Sequence, residues 1–333
     1  MLDVLLLAVG FALLIAGGEL LVRGSVAVAE RLGLSPLIIG IVLVGFGTSM
    51  PELVISVQAS LAGSPGIAIG NFVGSNISNI LLIVGVSAAI APLTVHSRAL
   101  KRDGGVVIAA SLAFTLLALV APLSQPVGVL FVASLAAYLF YAAREERLEP
   151  AAGHSAAFEM SEAYEELLRD GDHWGARRLK WSARLGRVLP FLMALAGLAT
   201  IIFGGRLLVD SAVVLAQQLG VSETVIGLTI IAIGTSLPEL VTSLVAAYRG
   251  HSDVAVGNVM GSCVYNILGI GGVVGILAPT AIPPSIIQYD NFIMLASAIA
   301  LVAVASNGGR ITRFEGLAML VAYAAYLYSL FPQ

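Results

Sequence analysis

The chain has 333 residues, of which 58% are hydrophobic and 11% charged, with a formal net charge of −3 and a mean hydropathy of +0.97. Soluble domains carry roughly 25% charged residues, so a soluble protein is excluded and an integral membrane protein implied. The charge is too small to imply a nucleic-acid partner, and the lone cysteine, Cys263, excludes an intramolecular disulfide.

Apolar runs broken by turn and charge signals define ten segments, beginning near residues 3, 34, 66, 104, 126, 187, 221, 253, 290 and 312. Many of them exceed the roughly 20 residues that a helix needs to cross hydrocarbon, which favours spanning helices over the short alternating strands of a barrel. Leu2 to Ile15 lacks a basic leader and a small-residue cleavage pattern, so it is expected to be a first membrane helix rather than a removed signal peptide. Gly33, Ser64-Pro65, Arg98 to Asp103 and Pro122 to Pro126 separate the first five segments. Gly220, Gly250 to Asp253, Pro283-Pro284 and Asn307 to Arg313 separate the last five.

The basic residues report orientation. Arg31, then Arg98, Lys101 and Arg102, then the central loop, Arg249, Arg310 and Arg313 all follow odd-numbered segments, and the loops after even-numbered segments have none. The positive-inside rule then places the odd loops in the cytoplasm and both termini outside. Between the halves, residues 144–186 form a polar cytoplasmic linker in which acidic residues precede basic ones and Trp181 suits an interfacial anchor. Asp170-Gly171-Asp172 has the opening of a calcium-binding loop, but Trp174 and Trp181 stand where such a loop needs oxygen ligands.

The second segment contains Gly47-Thr48-Ser49-Met50-Pro51-Glu52, and the seventh contains Gly234-Thr235-Ser236-Leu237-Pro238-Glu239. The offset, 239 − 52 = 187, also relates Gly17-Gly18 to Gly204-Gly205, Gly70-Asn71 to Gly257-Asn258, Gly74-Ser75 to Gly261-Ser262, Asn79 to Asn266 and Asp103 to Asp290. Five spans separate the copies, so the second enters the membrane from the opposite face. The expected architecture is an all-α membrane protein of ten helices in two inverted five-helix repeats, residues 1–143 and 187–333, with repeated motifs at 45–79 and 232–266.

Each proline removes an amide hydrogen and breaks its helix, freeing carbonyls around Gly45 to Gly47 and around Ala232 to Gly234. Irregular backbone at membrane depth is tolerated only where protein or a watery cavity surrounds it. Glu52 and Glu239 lack an obvious basic partner. Arg23 and Arg206, the basic residues well inside the segments, each have an acid one turn away, Glu19 and Asp210. Unpaired acids in a span point to function. Calcium takes about six to eight oxygens from carboxylate, carbonyl and hydroxyl groups, and both motifs supply all three. Two carboxylates neutralise one calcium or two sodium ions. Ser75 and Asn79 lie four apart on one helix face, as do Ser262 and Asn266, and each pair can complete an oxygen cage. Asn71, Asn258, Asn76 and Cys263 are read as packing or capping residues. Gly17-Gly18 and Gly204-Gly205 are read either as points of flexure or as close packing.

The paired Gly-Thr-Ser-x-Pro-Glu and Gly-Asn-x-x-Gly-Ser stretches resemble the two alpha repeats of the cation/calcium exchanger superfamily, most closely its prokaryotic sodium/calcium exchangers. The resemblance covers nearly the whole chain apart from the central loop. It implies ten helices, an outside N-terminus and exchange of several sodium ions for one calcium across a prokaryotic inner membrane. It makes Glu52 and Glu239 the shared ligands. Thr48 and Thr235 add oxygens with the carbonyls of Gly45 and Ala232, Ser49 and Ser236 line the passage, Ser75 and Ser262 serve flanking sodium sites, and Asn79 and Asn266 complete the centre. Some members have an aspartate where this chain has Asn266, so the sodium number and any potassium requirement do not transfer.

The rival readings are a proton/calcium exchanger using the same glutamates and a cation channel. No nucleotide-binding loop, zinc spacing or nucleophile motif suggests an enzyme. No cofactor and no obligate protein partner is expected beyond the transported ions and the bilayer.

Overall fold

In hydrocarbon every backbone amide must find a partner in the protein, and a long apolar run finds one within itself by forming a helix. The computed structural model describes residues 2–31, 49–95, 98–148, 158–159, 185–306 and 308–330. The segment opening near residue 34, with Gly45 and Thr48, and most of the 144–186 linker, with Trp181, lie outside the described residues.

Helix α1 spans Leu2–Arg31, α2 Met50–Leu61, α3 Pro65–Ile90, α4 Arg98–Val120, α5 Gln125–Leu148 and α6 Leu185–Leu219. Then follow α7 at Glu223–Thr235, α8 at Leu237–Arg249, α9 at Ser252–Leu277, α10 at Ile286–Ser306 and α11 at Arg313–Leu330. Among the described residues seven helices are long and apolar enough to cross a membrane, and the bent pair α7 and α8 makes an eighth. The helix starts match the sequence expectation within a few residues for the segments opening near 3, 66, 126, 187, 221, 253 and 312, whereas α4 begins at Arg98 and α10 at Ile286, ahead of their apolar runs, and α2 and α8 begin inside the second and seventh segments.

Repeat-equivalent helices hold equivalent places. The spans of α3 and α9 are 78% and 89% buried, whereas those of α1 and α6 are each 28% buried. The first two form the centre and the second two the periphery. Helices α1 and α6 approach at backbone distance: a Cβ at Gly17 would lie 2.9 Å from the Gly197 carbonyl oxygen, and one at Gly197 would lie 2.4 Å from the Leu21 nitrogen. Both helices run unbroken through Gly17-Gly18 and Gly204-Gly205. In this structure Gly17 and Gly204 therefore serve close packing, as small residues do between membrane helices.

The molecule also has a two-stranded antiparallel sheet, a feature outside a purely α reading. Strand β1 at Leu93–Thr94 pairs with β2 at Arg310–Ile311, Leu93 opposite Ile311 and Thr94 opposite Arg310. A bridge joins Leu123 to Thr280 through two hydrogen bonds of 3.0 Å. Adding 187 to Leu93 gives Thr280, and subtracting it from Arg310 gives Leu123. The two contacts thus fall at corresponding places of the two halves, displaced by one residue in register, since Leu93 stands opposite Ile311 rather than Arg310.

The Glu19–Arg23 ion pair forms at 2.5 Å. Among the described residues no ion pair joins Arg206 to Asp210, and both side chains are exposed.

Candidate functional site

Ser49 (φ −86°, ψ 6°) and Ser236 (φ −83°, ψ 8°) leave helical geometry at matching places in the two halves. Helices α2 and α8 start immediately after them, with Pro51 and Pro238 in the first turn, where a missing amide hydrogen costs nothing. The axes of α7 and α8 differ by 48° at this break. The chain resumes in the same way on each side: the Leu53 amide donates to the Ser49 carbonyl at 3.0 Å, and the Leu240 amide to the Ser236 carbonyl at 3.0 Å. Glu52 and Glu239 are thereby placed in first helical turns, where the partial positive charge of the helix end favours a carboxylate.

Two asparagines brace this geometry. Asn71 Nδ2 donates to the Glu52 carbonyl at 3.0 Å and to Ser56 Oγ at 3.0 Å. Asn258 Nδ2 donates to the Glu239 carbonyl at 3.3 Å and to Ser243 Oγ at 2.8 Å. The assignment of Asn71 and Asn258 to packing and capping is thus given a specific form, since each holds the backbone of the glutamate beside it. The halves also interlock, because Thr235 Oγ1 donates to Asn71 Oδ1 at 3.3 Å and Ser75 Oγ lies 3.5 Å from the Ala232 carbonyl oxygen.

Helices α3 and α9 supply the remaining candidates. Each passes from α to π winding, over Asn79–Val84 and Tyr265–Ile270 respectively. Asn79 opens the first π segment and Asn266 is the second residue of the other. Such insertions occur often at functional sites because they displace one turn of side chains from the regular face. The sequence reading had no signal for them. Ser56 and Ser243, also absent from that reading, were findable because they obey the 187-residue offset.

The Glu52 carboxyl lies within electrostatic reach of Glu239, Thr235 and Ser236, so the acids contributed by the two halves share one neighbourhood. Both side chains are buried, at 1% and 2% exposure. Glu52 Oε2 and Glu239 Oε2, Ser49 Oγ and Ser236 Oγ, and Asn79 Oδ1 and Asn266 Oδ1 all lack a hydrogen-bond partner among the described residues, and Ser262 Oγ does too. Buried oxygens seldom go unpaired. Here three repeat-equivalent pairs do so together, and every one is a hard donor of the kind that suits alkali and alkaline-earth cations. Among the described residues no cluster of three or more His, Cys, Asp or Glu side chains could hold a metal ion. Of the twelve residues proposed from sequence, Thr48 and Gly45 lie outside the described residues, and the other ten are buried.

Apolar helices surrounding a duplicated set of buried oxygens define a membrane ion carrier. The sodium/calcium exchanger protein family matches residues 2–144 and 189–331, and the chain belongs to that family. It is 34% identical to the sodium/calcium exchanger MaX1 of Methanosarcina acetivorans over 98% of each chain. It is also 34% identical to the inner membrane protein YrbG of Escherichia coli, over 88% of this chain and 86% of the relative. A solved structure of the sodium-calcium exchanger NCX_Mj, soaked with 10 mM Na+ and no Ca2+, aligns over 99% of both chains with a TM-score of 0.62 and 28% identity. These likenesses make the chain a cation/calcium antiporter of the membrane.

Proposed function

We propose that the protein exchanges sodium for calcium by alternating access, with one oxygen-lined site serving both ions. The observation that carries this reading is the set of unpartnered buried oxygens duplicated at equivalent positions of the two halves. In the ten-span reading, the 34–61 region and α11 complete the count, α7 and α8 form one broken span, and residues 1–143 and 187–333 are inverted repeats. The cross-half pairings support the assignment of the paired loops to common faces of the membrane. Strands β1 and β2 belong to two loops that the charge rule places in the cytoplasm, and Leu123 and Thr280 to two that it places outside.

Glu52 and Glu239 are the shared ligands. Thr48 and Thr235, the carbonyls of Gly45 and Ala232, and the amides of Asn79 and Asn266 surround the ion, while Ser49, Ser236, Ser75 and Ser262 serve flanking sodium sites or line the passage. A bound calcium, or sodium ions at the same donors, cancels the carboxylate charge, and helices α1 and α6 then slide past the centre to change access. An empty site leaves two bare carboxylates in a low-dielectric layer, at a cost of about 3 kcal/mol each even on the mildest scale. Return without cargo is therefore suppressed and exchange is obligatory. The protein acts without cofactor or catalytic residue, and in a prokaryotic inner membrane its termini face outward.

Calcium-45 uptake into proteoliposomes, driven by a sodium gradient at constant pH, tests this. Wild type is expected to accumulate calcium, and Glu52→Gln and Glu239→Gln to fall to background. Uptake driven by a pH gradient and indifferent to sodium would replace sodium by protons as the counter-ion. Near-normal uptake by both variants would reject the site.

A further inference from the structure

Gly234 is the penultimate residue of α7, two before the break at Ser236. A Cβ built on it lies 2.1 Å from both Cε1 and Cζ of Phe11 and 2.9 Å from Cδ1, well inside the 3.0 Å that real Cβ contacts respect. The Phe11 ring therefore rests on the bare Cα of the bend, in the space that any side chain at position 234 would take. Phe11 comes from α1, where Leu7 and Leu14 pack with Ile201, Leu208 and Ile231 in a cluster with no other aromatic member among the described residues. Through this ring the peripheral helix pair touches the ion-binding break itself.

The neighbours of Gly234 show what that contact holds. Thr235 Oγ1 reaches Asn71 of the other half, the Ala232 carbonyl oxygen faces Ser75, and Ser236 Oγ is one of the unpartnered oxygens. The repeat partner of Gly234 is Gly47, but that of Phe11 is Leu198. An aromatic wedge is thus available to the second-half bend and only a branched aliphatic one to the first. Since α1 is packed backbone to backbone with α6, neither can slide far without taking the ring off Gly234.

We propose that Phe11 is a positioning residue: its ring, seated on Gly234, sets the bend between α7 and α8 and ties the place of α1 to the geometry of the second-half ion ligands. The inference rests on the proposed ion site for its functional meaning, though not for the contact itself.

The test uses full-length protein in proteoliposomes, with uptake and half-saturating calcium measured for Phe11→Ala, Phe11→Tyr, Gly234→Ala and the Phe11→Ala/Gly234→Ala double variant. Overpacking at such a contact is expected to cut uptake by Gly234→Ala by about tenfold or more. Removing the ring in the double variant should recover most of that loss. Phe11→Ala alone should raise half-saturating calcium by about three- to tenfold, and Phe11→Tyr should restore the wild-type value. Should Gly234→Ala fail to fold, the Phe11→Ala and Phe11→Tyr pair decides alone. Unimpaired Gly234→Ala, absence of rescue in a folded double variant, or unchanged half-saturation in Phe11→Ala would each overturn the proposal. Active Glu52→Gln and Glu239→Gln alongside rescue of Gly234→Ala would reject the ion site and leave the wedge standing.

Discussion

Asn71 and Asn258 do for the two glutamates what a single side chain can do in the absence of water: each fixes a backbone carbonyl and a serine hydroxyl at once. Truncating either leaves buried polar atoms unpaired, at about 1–3 kcal/mol. Asn71→Ala and Asn258→Ala should each lower the midpoint of thermal unfolding in detergent and weaken calcium binding measured by isothermal titration. If the carboxylates alone set affinity, binding will be unchanged. Sequence reading singled out the acids, the serines and Asn79 with Asn266 because their spacing is duplicated. It misread one charge pair for a reason of geometry. Glu19 precedes Arg23 and the bridge forms, whereas Arg206 precedes Asp210 and it does not, in keeping with the weaker interaction of a helical pair whose cation comes first.

Among the elements, α1 and α6 are one pair whose backbones meet along a shared face. Gly197→Leu should push the helices apart, destabilising the protein by about 1–3 kcal/mol and abolishing exchange. Gly105→Leu should be tolerated, because nothing lies within 4 Å of the added Cβ. Thermal unfolding and calcium uptake measured together check both, and equal behaviour of the two variants would contradict the packing argument. Gln58 adds a hydrogen bond of 2.8 Å from α2 to the Ile202 carbonyl on α6, and the equivalent position in the other half is Val245. The helices were legible because apolar runs and proline-glycine punctuation are local signals. The π segments at Asn79 and Tyr265 were not, since an extra residue in a turn is stabilised by the neighbours of α3 and α9 rather than by the sequence of the turn itself.

For the whole molecule, the orientation can be checked with an impermeant thiol reagent on a Cys263→Ser background. Gly63→Cys should label from outside in right-side-out vesicles and His251→Cys should not; the opposite pattern would invert the topology. A cysteine pair from Thr94→Cys and Arg310→Cys, which stand opposite each other, should form a disulfide under oxidation. Exchange should survive that lock, because neither residue belongs to α1 or α6. Such pairings between distant loops left no trace in the sequence beyond the offset that relates their positions. Their mechanical meaning is that the interior is stapled at both rims, once through β1 and β2 and once through Leu123 and Thr280. Helices α3, α4, α5, α9, α10 and α11 each adjoin a staple, and α1, α2, α6, α7 and α8 adjoin neither. The loops therefore tie six helices into one frame, and in the proposed exchange cycle travel falls to α1 and α6, two of the helices that neither pairing holds.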